Sequence, residues 1–168
     1  MSWTNLVEII TAGIGAFAFG ILFNLHGKKL VAVSLGGAVG WLLVILLMRL
    51  GADEPTAYFI VALLLSLYAE TLARTLKAPT TVFIIPSLIP LVPGSSLYYT
   101  MAYGLSGEKE LFSRKAFATL ALAAALAIGI IIATVLTRLF LRTAAALKAR
   151  KMKRTENKTY GNKKEKSE

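Results

Sequence analysis

The sequence predicts an all-α integral membrane protein with five transmembrane helices, of which the fourth is broken near mid-membrane. Of its 168 residues, 56% are hydrophobic, and the mean hydropathy is +0.65. The hydrophobic residues are grouped in runs of roughly twenty, the length of helix that crosses the hydrocarbon core of a bilayer. A chain of this size has too little interior to hide such runs from water, so we discard a soluble fold.

Five hydrophobic segments follow one another along the chain, joined by short polar connections. Backbone groups in lipid must be hydrogen-bonded within their own segment, so runs of this length are expected to be helices. In chain order the segments cover residues 4–25, 29–50, 56–76, 82–105 and 113–140. The first segment has no basic start and no small-residue cleavage site, so it is expected to be a retained span and not a signal peptide.

Most of the net charge of +10 lies at the C-terminus, where residues 138–168 contain eleven Lys or Arg and three Asp or Glu. Cytoplasmic loops of membrane proteins are rich in Lys and Arg. We therefore expect a cell membrane protein (inner or plasma membrane) with its C-terminus in the cytoplasm, near anionic lipid, and its N-terminus outside. Residues 1–142 would form the transmembrane domain. Residues 143–168 would form a basic tail, helical to Arg154 and disordered beyond it. The tail has one aromatic residue, which argues against a nucleic-acid partner.

Three prolines interrupt the fourth segment, Pro86, Pro90 and Pro93, and Gly94 follows the last of them. A proline inside a helix lacks the N–H donor and leaves the carbonyl four residues earlier without its partner. The carbonyls freed in this way would be those of Val82, Pro86 and Ile89. Because Pro-Gly is a turn signal, the segment is predicted to break at Pro93–Gly94 into two half-helices. The alternative is an ordinary proline-kinked helix.

Five of the six residues after the break carry hydroxyl groups: Ser95, Ser96, Tyr98, Tyr99 and Thr100. Ser95 or Ser96 is expected to be the N-cap of the second half-helix. A helix N-terminus has unpaired N–H groups and a partial positive charge, and it binds anions, carboxylates included. Broken helices of this kind form substrate sites in secondary transporters. We therefore assign substrate binding to Pro93, Gly94 and the two serines, with Tyr98 and Tyr99 lining the path.

Ionisable side chains within the hydrophobic segments are the other candidates for function, because they are costly in a membrane. Glu70 and Arg74 lie one helical turn apart in the third segment, and Glu70 is a candidate carrier of a coupling proton. The alternative is a salt bridge at the membrane interface, with Arg74 reaching the headgroups. Glu8 lies early in the first segment and is interpreted as an interfacial residue.

The sequence contains no cysteine, no nucleotide-binding loop, no metal-ligand cluster and no catalytic triad. We therefore expect no metal, no cofactor and no enzymatic activity. Pairs of small residues four positions apart, Gly36 with Gly40 and Ala16 with Gly20, are typical of close helix contacts. The spacing leaves open whether those contacts lie within the chain or against another subunit.

Two stretches resemble the threonine/serine exporter family, in its small-subunit half: "KAPTTVFIIPSLIPLVPGSSLYYTM" (residues 77–101) and "FGILFNLHGKKLVAVSLGGAVGWLL" (residues 19–43). The resemblance covers roughly residues 5–142 and leaves out the basic tail. It implies proton-driven export of threonine and serine, or of a dicarboxylate such as succinate. It also implies a partner, either a larger subunit with a cytoplasmic domain or further copies of this chain. A scaffold subunit that does not transport and a channel-like homo-oligomer are the alternatives.

Overall fold

The computed structural model describes residues 3–165, with side chains for residues 3–141 and 143, and this part of the chain contains helices and no strand. The helices, in chain order, are α1 (Trp3–Leu22), α2 (Lys28–Arg49), α3 (Glu54–Thr75), α4 (Thr81–Leu88), α5 (Gly94–Leu105) and α6 (Lys109–Glu165). A short 3₁₀ turn, Ile89–Leu91, follows α4 directly. The all-α prediction is confirmed, and the bounds of α1, α2 and α3 lie within a few residues of the first three predicted segments.

Within residues 3–165, four helices are long and apolar enough to cross a membrane by themselves: α1, α2, α3 and the Lys109–Leu141 part of α6. The fifth candidate span is the pair formed by residues 81–91 and 94–105, which are bent by 55° relative to each other. Counting this pair as one broken span gives the predicted five. The protein is therefore a helical membrane protein whose fourth span is interrupted.

Glycines on α2 let this helix approach its neighbours closely. A Cβ on Gly36 would lie 2.7 Å from the Ser87 hydroxyl oxygen, and one on Gly40 would lie 2.8 Å from a Leu65 methyl carbon. Non-bonded heavy atoms prefer about 3.5–4.0 Å, so a side chain at either position would displace its neighbour. The small-residue pair on α2 thus packs inside the chain, against α3 and α4.

Hydrogen bonds between helices supplement this packing, since water is not present in a membrane to satisfy buried polar groups. The Ser34 hydroxyl donates to the carbonyl of Gly13 at 2.9 Å, and the Tyr68 hydroxyl donates to the carbonyl of Ala32 at 3.0 Å. The buried Ser87 hydroxyl makes a longer bond, 3.4 Å, to the carbonyl of Val33. These bonds connect α2 with α1, α3 and α4, and the Ser87 bond joins the broken segment to α2.

The N-terminus of α3 has a side-chain cap. Asp53 is the N-cap residue and Pro55 lies in the first turn, a position where its missing N–H costs nothing. The Thr56 hydroxyl donates to one Asp53 carboxylate oxygen at 2.7 Å, and the Thr56 backbone N–H donates to the other at 3.3 Å. These two bonds hold the pKa of Asp53 below its ordinary value. The connection between α2 and α3 therefore ends at a well-defined helix start.

Helix α6 continues to Glu165, through residues that the sequence indicated to be disordered beyond Arg154. Lys, Arg and Glu favour helix, and extending an existing helix needs no new nucleation step. The chain divides into two compact units, Met1–Thr134 and Val135–Glu168, with the boundary inside α6. The division after residue 142, which follows the end of the hydrophobic run, stays a prediction.

Candidate substrate site

The fourth span is interrupted at the position that the sequence indicates. Helix α4 ends at Leu88, the backbone tightens into the 3₁₀ turn, and α5 begins at Gly94 after an extended Val92. The 55° bend between the two halves confirms the predicted break at Pro93–Gly94.

The prolines leave fewer free carbonyls at the break than the sequence predicts. Pro93 was expected to free the carbonyl of Ile89, but the N–H of Val92 donates to that oxygen at 3.0 Å. The 3₁₀ turn is the reason, since it pairs each carbonyl with the N–H three residues later instead of four. The expectation of a free Ile89 carbonyl is therefore wrong.

The second half-helix begins two or three residues earlier than predicted. Pro93 is the N-cap residue of α5 and makes no side-chain cap bond, so the assignment of Ser95 or Ser96 as the N-cap is wrong. Both serines lie in the first turn because Gly94, directly after Pro93, already has helical geometry. The first helical bond runs from the Leu97 N–H to the carbonyl of Pro93 at 3.0 Å.

Among the polar groups in the first turn of α5, those of Ser95 and Ser96 are the open ones. The Gly94 N–H, by contrast, donates to the carbonyl of Val92 at 2.7 Å. The N–H groups of Ser95 and Ser96 come before the first helical bond and have no backbone acceptor within residues 3–165. Ser95 is exposed and Ser96 is half-buried. Two N–H groups and two hydroxyls at the positive end of a twelve-residue helix form a suitable cradle for a carboxylate.

The hydroxyl of Thr100 is used in helix packing. It donates to the carbonyl of Ser96 at 2.8 Å and contacts the hydroxyl of Thr119 on α6 at 3.2 Å. Thr100 therefore connects α5 to α6 and leaves the two serines as the hydroxyl donors of the cradle.

The tyrosines of α5 form an exposed aromatic group beside the break. The rings of Tyr98 and Tyr99 meet edge to face with centroids 5.4 Å apart, and Tyr99 stacks on Tyr103 at 6.2 Å. The Lys115 ammonium lies 6.0 Å from the centroid of the Tyr99 ring. Tyr98 is 67% exposed and Tyr99 is 48% exposed. That the two rings line a substrate path stays a prediction.

Glu70 and Arg74 form the predicted pair on α3, with 3.4 Å between the carboxylate and guanidinium atoms. The Glu70 side chain is 17% exposed and the Arg74 side chain is 43% exposed. Glu70 is therefore the better shielded partner. Whether it carries a proton or only a salt bridge stays a prediction.

Sequence reasoning treated Glu8 as an interfacial residue and did not place it near the broken span. The structure leaves Glu8 exposed, in the wall of an open cavity of about 260 Å³ that Ile89 and Pro90 also line. The Trp41 indole N–H, on α2, donates to the Glu8 carboxylate at 3.3 Å. The two residues are 33 positions apart and belong to different helices, so no spacing pattern in the sequence indicates their contact.

A second cavity, of about 330 Å³, lies between α2 and α3 and differs in chemistry from the first. Its wall is aliphatic apart from Tyr68, whose hydroxyl already bonds the carbonyl of Ala32. It presents no charged group to a polar solute. The α5 first turn and the Glu8 cavity, by contrast, both present polar groups.

Membrane-crossing helices with one broken span, and an open helix N-terminus at the break, are features found in helical membrane transport proteins. The chain belongs to the threonine/serine exporter family, since it matches the family described as "Threonine/Serine exporter, ThrE" over residues 8–136. The match begins in α1 and ends in α6, and it confirms the resemblance found in the sequence. Membership indicates amino-acid export rather than enzymatic activity. No solved structure matches the chain.

Proposed function

We propose that this chain is the membrane subunit of a secondary exporter that binds its substrate's carboxylate at the first turn of α5. The substrates are threonine and serine, or a dicarboxylate such as succinate, and export is driven by the proton gradient. The subunit works with a larger exporter subunit that has a cytoplasmic domain, or with further copies of itself. Its basic C-terminal tail is in the cytoplasm and its N-terminus is outside.

The observation that carries this proposal is the open first turn of α5 halfway along the fourth span. The N–H groups of Ser95 and Ser96 precede the first helical hydrogen bond, and the two hydroxyls have no hydrogen-bond partner among the described residues. In lipid, unsatisfied N–H groups are costly, so a ligand that accepts from them is favoured. A carboxylate has two acceptor oxygens and the charge that the helix end attracts.

Export assays on variants of the first turn test the carboxylate site. A Cβ on Gly94 would meet no atom within 4 Å, so Gly94→Leu is expected to fold while its side chain covers the neighbouring N–H groups. We expect it to reduce threonine export at least tenfold. Each hydroxyl bond contributes about 0.5–1.5 kcal/mol, so Ser95→Ala/Ser96→Ala is expected to reduce export about tenfold.

Two variants serve as matched controls for this assay. Gly94→Ala adds a side chain too small to cover the N–H groups, and Ser106→Ala removes an exposed hydroxyl at the other end of α5. Both should export near the normal rate. Normal export by Gly94→Leu and by the double alanine variant, at equal expression and insertion, would rule out the carboxylate site. Flux into liposomes holding the purified chain, with and without the larger subunit, separates the exporter from a homo-oligomeric channel.

Glu70 is our candidate for the proton carrier, because its carboxylate is shielded on the membrane-spanning helix α3 and Arg74 is its ion-pair partner. Glu70→Gln cannot take up or release a proton. We expect it to abolish export driven by a pH gradient while exchange of substrate across the membrane at equal pH continues. Export that keeps its normal dependence on pH in this variant would exclude Glu70 as the carrier.

A further inference from the structure

We infer that the cavity beside Glu8 and Trp41 binds the ammonium group of an amino acid, which makes the subunit selective for amino acids over dicarboxylates. The inference deepens the proposed function and rests on it for the cavity's place on the transport route. Its central test is a binding measurement, which does not depend on transport.

The cavity is built from three helical segments that the sequence keeps far apart. Glu8 comes from α1, Trp41 from α2, and Ile89 with Pro90 from the 3₁₀ turn. Glu8 lies more than one turn inside α1, and Trp41 lies more than two turns before the end of α2. Both positions are within candidate membrane spans, so the carboxylate belongs to a span and not to a connecting loop.

Glu8 is the one charged residue in the cavity wall, and no cation of the described chain pairs with it. The hydrogen bond from the Trp41 N–H, at 3.3 Å, satisfies one carboxylate oxygen with a neutral donor. Ionisable groups within membrane spans are rare and expensive, and they normally face a partner or a functional cavity. The Glu8 carboxylate therefore has no positive partner within the described chain. A ligand with a positively charged group would supply one.

The chemistry of the wall favours an ammonium group as that partner. A carboxylate accepts charge-assisted hydrogen bonds from ammonium N–H groups, and the indole ring is the side chain best suited to a cation–π contact. Ca²⁺ and Mg²⁺ need about six oxygen ligands, and one carboxylate does not meet that need. A dicarboxylate would bring a second negative charge next to Glu8.

The size and position of the cavity fit a small zwitterion. Pockets for drug-sized ligands measure about 300–1,000 Å³, so a volume of about 260 Å³ suits a smaller molecule such as an amino acid. Pro90 in its wall comes shortly before Gly94, where the positive end of α5 begins. The broken segment is thus bordered by a negative group before the break and a positive helix end after it. An amino acid carries the two complementary charges.

The fluorescence of Trp41 gives a direct test, because the chain has only two tryptophans. The other, Trp3, is 81% exposed at the start of α1, and Trp3→Phe leaves Trp41 as the sole reporter. The full-length Trp3→Phe chain, in nanodiscs, is titrated with threonine and with threoninol, which keeps the ammonium group and lacks the carboxylate. N-acetylthreonine, which keeps the carboxylate and lacks the ammonium group, and succinate are titrated in parallel.

We expect threonine and threoninol to change the Trp41 emission saturably, and N-acetylthreonine and succinate to leave it unchanged. Glu8→Gln should weaken threoninol binding about ten- to a hundredfold, the effect of losing a charge-assisted hydrogen bond. Glu8→Asp keeps the charge and should retain part of the affinity. Glu54→Gln is the matched control, since Glu54 is a helical glutamate in the first turn of α3 outside the cavity wall.

Unchanged threoninol binding in Glu8→Gln would overturn the inference, and so would equal responses to threoninol and N-acetylthreonine or no response of Trp41 to any probe. The two proposals fail separately. Gly94→Leu is expected to lose export while it still binds threoninol, whereas an incorrect Glu8 assignment would leave the export defects of the α5 variants in place.

Discussion

Replacing Gly129 by valine is expected to prevent α6 from packing against α3 and to leave little stably folded protein. A Cβ at this position would lie 2.7 Å from the carbonyl oxygen of Phe59, 2.9 Å from the Cβ of Ala62 and 3.2 Å from the backbone nitrogen of Leu63. Two of these three atoms belong to the backbone of α3 and cannot rotate away. Overpacking a well-filled interior typically costs about 1–3 kcal/mol. Because the backbone of α3 cannot move aside, the cost of valine is expected at or above the upper end of this range.

Alanine makes a graded version of the same test possible. Gly129→Ala and Gly94→Ala both replace a helical glycine, but a Cβ at Gly94 would meet nothing within 4 Å. Both variants gain helix propensity, so a difference between their melting temperatures in detergent isolates the clash with α3. We expect Gly129→Ala to melt lower and Gly94→Ala to melt at or above the unmodified protein. Equal melting temperatures would contradict the close approach of α6 to α3.

Removing the break is expected to abolish export while the protein still inserts into the membrane. In the variant Pro90→Ala/Pro93→Ala/Gly94→Ala, the new N–H groups at 90 and 93 are free to bond the carbonyls of Pro86 and Ile89. A continuous helix would then form through residues 81–105. The N–H groups of Ser95 and Ser96 would bond the preceding turn, and the anion-binding end of α5 would disappear. Export should fall to the background level.

A single introduced cysteine reports whether the break has closed, because the chain has no native cysteine. Position 95 is exposed beside the break, so Ser95→Cys in the otherwise unmodified chain is expected to react with a thiol reagent. The same cysteine in the triple alanine variant is expected to react more slowly. Leu105→Cys, at a position that is 89% exposed at the end of α5, should react equally in both backgrounds. A triple variant that still exports at the normal rate would show that transport does not need the helix N-terminus.

The broken span shows how far local chemistry alone can predict this protein. The lengths of the hydrophobic runs predicted the five candidate spans, and Pro93–Gly94 predicted the position of the break. Both depend on residues adjacent in the chain. Two local details were predicted wrongly. The second half-helix starts at Gly94, earlier than expected, and the Ile89 carbonyl is paired where a free carbonyl was expected. They depend on whether the backbone forms a 3₁₀ or an α turn, which differ by one residue in their hydrogen bonds.

Packing partners depend on the registers at which helices meet, and composition does not determine these. The sequence indicated that Gly36 and Gly40 would be contact positions, yet left open whether the contact was within the chain. The structure places Ser87 against the first and Leu65 against the second. By contrast, the Glu70–Arg74 pair was predictable from the sequence, because a single helix joins the two residues one turn apart.

By itself, the sequence determined that this is a helical membrane protein with a broken fourth span and a place in an exporter family. Hydrophobic run length, proline chemistry and local motifs act between neighbouring residues and are therefore readable along the chain. Only the tertiary structure decided that Glu8 meets Trp41 beside Pro90. These residues belong to α1, α2 and the 3₁₀ turn, which are separate segments of the chain. No rule of local spacing connects residues brought together in this way.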